Sequence, residues 1–439
     1  MSIVVNVLNI TVIALFGMTV IHFYNRYTEY FFAMLIAIVY WAQLLVSSAY
    51  IETGIYLMDI GKDSYPTGVT IRLFLMIEIY FMVLFYLARK HPIKERVEGT
   101  LSRYKDYKKV LILLFLVYSY RLADILVSGN IFNNVLVNRF DYYRDISTFP
   151  FAAIVQYFSF PLMWLAGYIM TLAENKKQRI FPILIFAINV FSLFLIGVQF
   201  GGYLQSALYF FCPTLLRLAK KRKLLRLRYA VMVAAVFLVM LIPKYNHFEE
   251  AIASGYANTS FGLNTAYDFL MYRALGQEAD LTWEIDREIV EEGFIEPDRF
   301  FEQIQEVLGI EVDTTTQYLM NRGLSGSALT RYSWGSAAVT GGYLVSWAAM
   351  FGYIFAIPFW MLDAALLFAV VKLICDGMAK QRLFILLAGG YLFCQCYTII
   401  ISANFSAMGN TIPHILIVLL LFLYKKPKKF KLGNRVYRI

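Results

Sequence analysis

Runs of about twenty mostly apolar residues follow one another along nearly the whole chain, and they constrain its fold more than any other feature. Twenty residues of helix span the hydrocarbon core of a bilayer. Such windows fall near residues 3–22, 30–51, 68–88, 110–128, 150–173, 181–199, 202–218, 229–243, 345–373, 383–403 and 411–424. Charged residues make up 16% of the 439 positions, against roughly 25% in a soluble domain, so a water-soluble fold is excluded. The sequence predicts an all-α polytopic membrane protein with eleven transmembrane helices, to within one or two. The first window lacks the basic leader and small-residue cleavage site of a signal peptide, and reads as a retained span.

A net charge of +10 would suggest nucleic acid in a soluble protein. Here the basic residues cluster between spans, at Arg89–Lys109, Lys176–Arg179, Arg217–Arg228 and Lys425–Arg438. Lys and Arg mark the cytoplasmic side, and these clusters fall on one side when successive spans alternate. No nucleic-acid partner is needed to explain them. The C-terminus is then cytoplasmic and the N-terminus external. Residues 244–335 follow the eighth window and lie outside the cytoplasm. They hold 16 of the 30 acidic residues and 6 of the 40 basic ones.

Within that acidic segment Leu281, Ile285 and Ile289 recur at helical spacing. Pro297 suits the first turn of a second helix, whose Phe300, Phe301, Ile304, Val307 and Leu308 form one apolar face closed by Gly309. Helices this short bury no core of their own, so their apolar faces are expected to rest on the membrane body as a solvated, acidic cap. The organisation is therefore transmembrane helices over 1–243, an extracytoplasmic helical loop over 244–335, a re-entrant segment and further spans over 336–424, and a basic cytoplasmic tail over 425–439. The re-entrant segment is assigned because Gly335–Asp376 is too long for one crossing, while parity demands an odd number. Gly341-Gly342 and Pro358 weaken helix within it. Ser336–Phe351 then reads as re-entrant and Gly352–Leu373 as the crossing, a candidate cavity wall.

Charges inside apolar windows are costly and mark function or helix–helix pairing. Arg121 and Asp124 share a face and can pair, whereas Arg72, Glu78 and Asp363 need partners from other helices. Outside the windows, arginine offers a planar fork that holds two phosphate oxygens. Arg139, Arg144, Arg273, Arg287, Arg299, Arg322 and Arg331 lie on the outer side. Of these, Arg287 and Arg299 sit among acids as ion-pair partners, while Arg273 has few acids immediately before it and Arg331 lies at the lip of the candidate cavity. His247, at the loop's start, is a lone candidate base, and Glu278, Asp280, Glu284 and Asp286 follow Arg273 closely. The four cysteines lie in or beside apolar windows. No disulfide framework, metal-binding spacing, Ser/His/Asp pattern or nucleotide fingerprint appears, so no metal and no cofactor is expected.

These residues resemble a known family. Tyr272-Arg273-Ala274-Leu275-Gly276-Gln277, with Trp283 shortly after, resembles the Arg…Gln-Gly/Trp region of Wzy-type O-antigen polymerases. Thr340-Gly341-Gly342-Tyr343 followed by Phe351-Gly352 resembles that family's Thr-Gly-Gly-Tyr-Pro segment, and Asn138-Arg139-Phe140 an Asn-Arg-Phe in an earlier external loop. Arg331 and Gly342 fit an Arg-x10-Gly spacing. The chain departs from the pattern in having Glu278 after Gln277, one Trp in place of a pair, and Leu344 in place of proline.

The resemblance implies a membrane glycosyltransferase at the periplasmic face of a bacterial inner membrane. Its substrate would be an undecaprenyl-diphosphate-linked oligosaccharide, its surroundings membrane lipids, and its protein partner a chain-length regulator. A hydroxyl on the non-reducing end of one repeat unit attacks the anomeric carbon of the growing chain and releases undecaprenyl diphosphate. On this reading Arg273 and Arg331 stabilise the diphosphate and Glu284 or His247 acts as general base. Arg139, Gln277, Arg322, Gly341, Gly342 and Tyr343 line the substrate site. An O-antigen ligase shares the arginine logic but relies on a loop histidine, for which His247 is the candidate. A flippase for the same lipid-linked sugars explains the intramembrane charges without a reaction. Arg273→Ala and Arg331→Ala are each expected to shorten or abolish polymer in cells at normal protein level, read from a polysaccharide gel beside an immunoblot. Unchanged polymer length and amount would remove these arginines from the site.

Overall fold

The computed structural model describes residues 2–93, 104–129, 142, 146–196, 200–220, 271–308, 310, 312–326, 328–329, 343–403, 429–432 and 435–438. The first half is a series of helices: α1 (Ser2–Arg26), the short α2 (Thr28–Ala33), α3 (Leu35–Ile51), α4 (Val69–Lys90), α5 (Lys108–Ser128), α6 (Ala152–Thr171), α7 (Lys176–Leu195) and α8 (Phe200–Lys220). A π-helical turn, Tyr272–Gly276, leads into α9 (Asp280–Glu291), α10 (Arg299–Val307) and α11 (Thr315–Gly323). The long α12 (Tyr343–Ala379) and α13 (Leu383–Ser402) complete the bundle. Two antiparallel hairpins depart from the all-helical expectation. β1 (Tyr56–Leu57) pairs with β2 (Lys62–Asp63) between α3 and α4, and β3 (Lys429–Leu432) pairs with β4 (Arg435–Arg438) in the basic tail.

Among the described residues six helices are long and apolar enough to cross a membrane: Val4–Arg26, Val69–Lys90, Lys108–Ser128, Lys176–Leu195, Tyr343–Ala379 and Leu383–Ile401. The protein is thus a largely helical, membrane-embedded chain. The windows at 229–243 and 411–424, and residues 244–270 of the acidic segment, lie outside the described residues. The window at 30–51 is divided, because the helix breaks at Met34, whose N–H bonds to the carbonyls of Tyr30 and Phe31.

Contacts fix how the helices run. Arg121, thirteen residues into α5, donates to Asn189, thirteen residues into α7, at 2.6 Å, so these two helices are parallel. Near the start of α5, Tyr107 meets Tyr168 at the end of α6. One residue earlier, Gly167 lies so close to α8 that a Cβ there would come within 2.0 Å of the Phe210 carbonyl oxygen. Small residues allow such backbone approach between membrane helices. Cys212 of α8 then donates to the Phe32 carbonyl of α2, Tyr30 of α2 to the His91 carbonyl beyond α4, and Cys375 of α12 to the Glu29 carbonyl. One end of the bundle therefore gathers Arg26, Arg89, Lys90, Lys108, Lys176, Lys372 and Lys380. The acidic helix α9 sits at the opposite end, against the start of α4 and the middle of α12.

Helix α12 is not continuous. At Gly352 the backbone takes φ 71° and ψ 165°, a region that only glycine enters readily. The chain reverses there. Trp347 stacks on Phe359 with ring centroids 4.7 Å apart, Phe351 on Phe359 at 4.6 Å, and Trp360 donates to the Leu344 carbonyl at 3.0 Å. Trp347 also donates to Asp363 at 2.6 Å. Residues 343–351 thus fold back antiparallel on the first three turns of the following helix. Pro358 lies within helix and does not interrupt it.

The second cap helix corrects the sequence expectation. Phe300 rests on the body, its ring 5.4 Å from Phe351 and 5.6 Å from Phe359. Phe301, Ile304 and Leu308 point away from it and are exposed. Replacing Gly352 with alanine should destabilise the protein by about 1–3 kcal/mol through its backbone conformation, with its Cβ also meeting Ile295 Cδ1 at 3.3 Å. A lowered thermal midpoint in detergent at unchanged helicity would report this. An unchanged midpoint would mean that the hinge is not strained by a side chain.

Candidate functional site

The site is built from the loop that joins α3 to α4. Glu52, buried at the end of α3, turns its carboxylate onto the first turn of α4 and accepts the N–H groups of Thr67, Gly68 and Val69. Its second oxygen accepts from Asn9 of α1 at 2.9 Å and from the Thr70 hydroxyl at 2.6 Å. A carboxylate at a helix N-terminus satisfies donors that have no intrahelical acceptor and meets the positive end of the helix dipole. The ends of α1, α3 and α4 are tied together in this way, and the loop becomes a platform for the cap.

Helix α9 lies on that platform through its acidic residues. Trp283 is fully buried and donates to the Tyr65 carbonyl at 3.1 Å. Asp286, 0% exposed, receives both nitrogens of the Arg72 fork, with Nε at 2.8 Å, and the hydroxyl of Tyr353 from α12. Glu284 is buried between Lys62 and Arg287, the latter at 3.0 Å. Glu288 takes Arg322, whose guanidinium lies 3.8 Å from the Phe294 ring centroid. Hydrogen bonding to Glu284 heads the causes that raise the pKa of Arg287, which also reaches Glu291 and Glu292. The expectation of a solvated acidic cap is therefore corrected for α9. Asp280, Glu284, Asp286 and Glu288 are all buried, because cations from the loop and from α4 and α11 meet the last three.

The π-helical turn before α9 packs against α3 at the cap end of the bundle. Ser47 of α3 donates to the Gly276 carbonyl at 2.9 Å, and a Cβ on Gly276 would meet the Tyr272 ring at 2.9 Å. Tyr272 donates to Asp280 at 2.7 Å, and the Leu281 N–H bonds to the same carboxylate at 2.6 Å. Gln277 donates to Asp59 at 3.3 Å. Burial, and then the negative charge of Asp59, push the pKa of Asp280 well above the usual carboxylate range. Glu278 is half-buried and within electrostatic range of Tyr40 on α3 and Tyr397 on α13. Deeper in the bundle Tyr343, where the fold-back begins, meets the Tyr80 hydroxyl at 3.0 Å, and Tyr80 lies 3.4 Å from Asp363.

Of the residues singled out from sequence, Gln277, Glu284, Arg322 and Tyr343 are described with their side chains. Gln277 is partly buried beside Asp59, Tyr343 is buried within the bundle, and Glu284 and Arg322 hold the cap together. Arg273 has its backbone in the π-helical turn, and its side chain lies outside the described residues, as do Arg139, His247, Arg331, Gly341 and Gly342. Arg121 finds Asn189, and Asp124 accepts the hydroxyls of Ser128 and Ser147. Sequence reasoning missed Asp59 and Lys62, whose positions carry no periodic or motif signal and which only the fold brings to the cap. Among the described residues no group of three or more His, Cys, Asp or Glu is placed to hold a metal ion.

No family model matches the chain, and neither does any curated protein or solved structure.

The raised pKa of Asp280 gives a pH dependence of definite sign. A carboxyl whose folded pKa lies above its unfolded value of about 3.9 contributes stability that is complete below that value and is lost as pH rises through the folded pKa. The thermal midpoint should be higher at pH 5 than at pH 8. Asp280→Asn should raise the pH 8 midpoint and reduce the difference, as followed by tryptophan fluorescence. A midpoint lower at pH 8 in Asp280→Asn than in the parent would contradict this.

Proposed function

We propose that this chain is a membrane glycosyltransferase that joins polyprenyl-diphosphate-linked oligosaccharide units, in the manner of the Wzy-type O-antigen polymerases it resembles. The observation that carries the reading is the seating of Tyr272–Gln277. The segment that bears the main resemblance packs against α3 through Ser47 at the cap end of a membrane-embedded bundle, with Gln277 and Glu278 only partly buried. Amide, carboxylate and phenol groups in this neighbourhood suit a polyhydroxylated substrate, and apolar spans beside it suit a lipid tail.

In the proposed reaction a hydroxyl of the acceptor sugar attacks the anomeric carbon of the donor. A new C–O glycosidic bond forms as the bond from that carbon to the diphosphate oxygen breaks, and the electron pair leaves with undecaprenyl diphosphate. Arg273, with Arg331, meets the charge that develops on the diphosphate, where a fixed guanidinium lowers the barrier most. The hydroxyl proton passes to a carboxylate. Glu284 suits that role poorly, because two cations hold it in a buried position. Of the four acids that follow Arg273, Glu278 alone is not fully buried, and it is the base in this proposal. Gln277 orients the acceptor beside it. The basic end of the bundle faces the cytoplasm, as Lys and Arg do in membrane proteins generally, so the cap end faces the periplasm of a bacterial inner membrane.

The test is polymerisation by the purified chain in lipid, supplied with undecaprenyl-diphosphate repeat units and no lipid A acceptor. Ladders of increasing length are expected, and Glu278→Gln should slow them roughly 100-fold or more, the usual contribution of a general base. Glu284→Gln should lower the yield of folded protein more than turnover per molecule. Movement of units across the bilayer without any joining would overturn the reading in favour of a flippase, and transfer only to lipid A would favour a ligase.

A further inference from the structure

Helix α10 buries three polar residues and exposes part of its apolar face, while Phe300 and Val307 pack against the core. Arg299, Gln303 and Glu306, spaced along one face, are buried against the rest of the cap. The Arg299 guanidinium lies 4.2 Å from the Tyr318 ring centroid and donates to the Asp313 carbonyl at 3.1 Å. Glu306 accepts the N–H and hydroxyl of Thr315 at 2.8 and 3.0 Å. On the other face Phe301 is 67% exposed, Ile304 41% and Leu308 60%, with Ile295 and Ile310 exposed at either end. A contiguous apolar surface of this kind marks an interaction site and is not ordinarily left to water.

The neighbouring surface says what covers it. Phe300, next in sequence to Phe301, packs on Phe359 of α12. One turn before Phe359 on the same helix, Phe355 is 75% exposed, as is Ile354. These belong to a helix long and apolar enough to cross a membrane, and exposed apolar residues on such a helix face lipid chains. The face of α10 therefore continues a lipid-facing belt across the Gly352 hinge, where Ile295 also lies. The residues of opposite character at its edge, Glu302 and Gln305, are acidic or neutral, so attraction to anionic headgroups plays no part. Apolar burial alone favours the location, as in helices that lie in the plane of the membrane interface.

We infer that α10 is embedded in the membrane interface on the cap side, with Phe301, Ile304 and Leu308 among the acyl chains of the protein's own bilayer. The cap is then held from two sides, by ion pairs to α4 and by lipid beneath α10. This depends on the membrane-embedded character of the chain and not on the reaction proposed above.

The experiment uses the full chain in phosphatidylcholine nanodiscs, with a nitroxide on a cysteine introduced by Phe301→Cys, Ile304→Cys or Leu308→Cys. Glu292→Cys on α9 is the control, and the parent chain, whose own cysteines are buried or half-buried, sets the background. Power saturation with oxygen, which partitions into lipid, and with a water-soluble nickel chelate reads the surroundings of each label. An oxygen-to-nickel ratio several-fold above that at position 292 is expected at all three sites, and Ile310→Cys replaces any variant that does not fold. A ratio equal to that at position 292 would place the face in water. Exclusion of both reagents, with broadening between labels, would place it against a second copy, and either result overturns the inference.

Discussion

The pairing of Arg72 with Asp286 is the contact on which the arrangement at the cap end depends. It joins α4 to α9, and Tyr353 brings α12 to the same carboxylate. A fully buried carboxylate is strongly disfavoured unless charge and hydrogen bonds compensate its lost hydration. Here a planar guanidinium supplies two donors and a phenol a third, and the guanidinium itself also bonds to the Thr67 carbonyl. Such a pair adds little to stability over a well-packed apolar contact, but it is demanding about geometry. It therefore fixes where α9 lies, and with α9 the π-helical turn that it extends from.

Around this contact two kinds of constraint divide the work. At the basic end, close backbone approach at Gly167 and sulfhydryl and phenol contacts to carbonyls hold helices together with few charges. At the cap end, carboxylates do so. Glu52 gathers the termini of α1, α3 and α4, and Glu284, Asp286 and Glu288 gather the hairpin loop, α4 and α11. Gln277 and Glu278, both partly buried, lie between these ionic contacts and the apolar interior.

The membrane class, the six membrane-length helices among the described residues and the departure from simple helix near Gly352 were legible in the sequence, because each rests on local composition and length. The identity of the cap's partners was not. Arg72 carried a signal, as an intramembrane charge in need of a partner, yet nothing local pointed to Asp286 more than two hundred positions away. Glu284 is a carboxylate near an arginine motif in sequence, and nothing local showed that Lys62 and Arg287 would surround it in a buried position. The orientation of α10 was inverted for a related reason. Periodicity identifies an apolar face but does not say whether protein or lipid covers it.

The distance in sequence between Arg72 and Asp286 also bears on how the protein is made. Arg72 emerges from the ribosome and enters the membrane with α4 long before α9 has been synthesised. It lies in the first turn of α4, where a long side chain can reach interfacial water while it waits. The same arginine in the middle of α4 would have no such refuge. Placing the charge at the helix's edge lets an early span insert alone and still serve, much later, as the anchor for a segment made some two hundred positions further on.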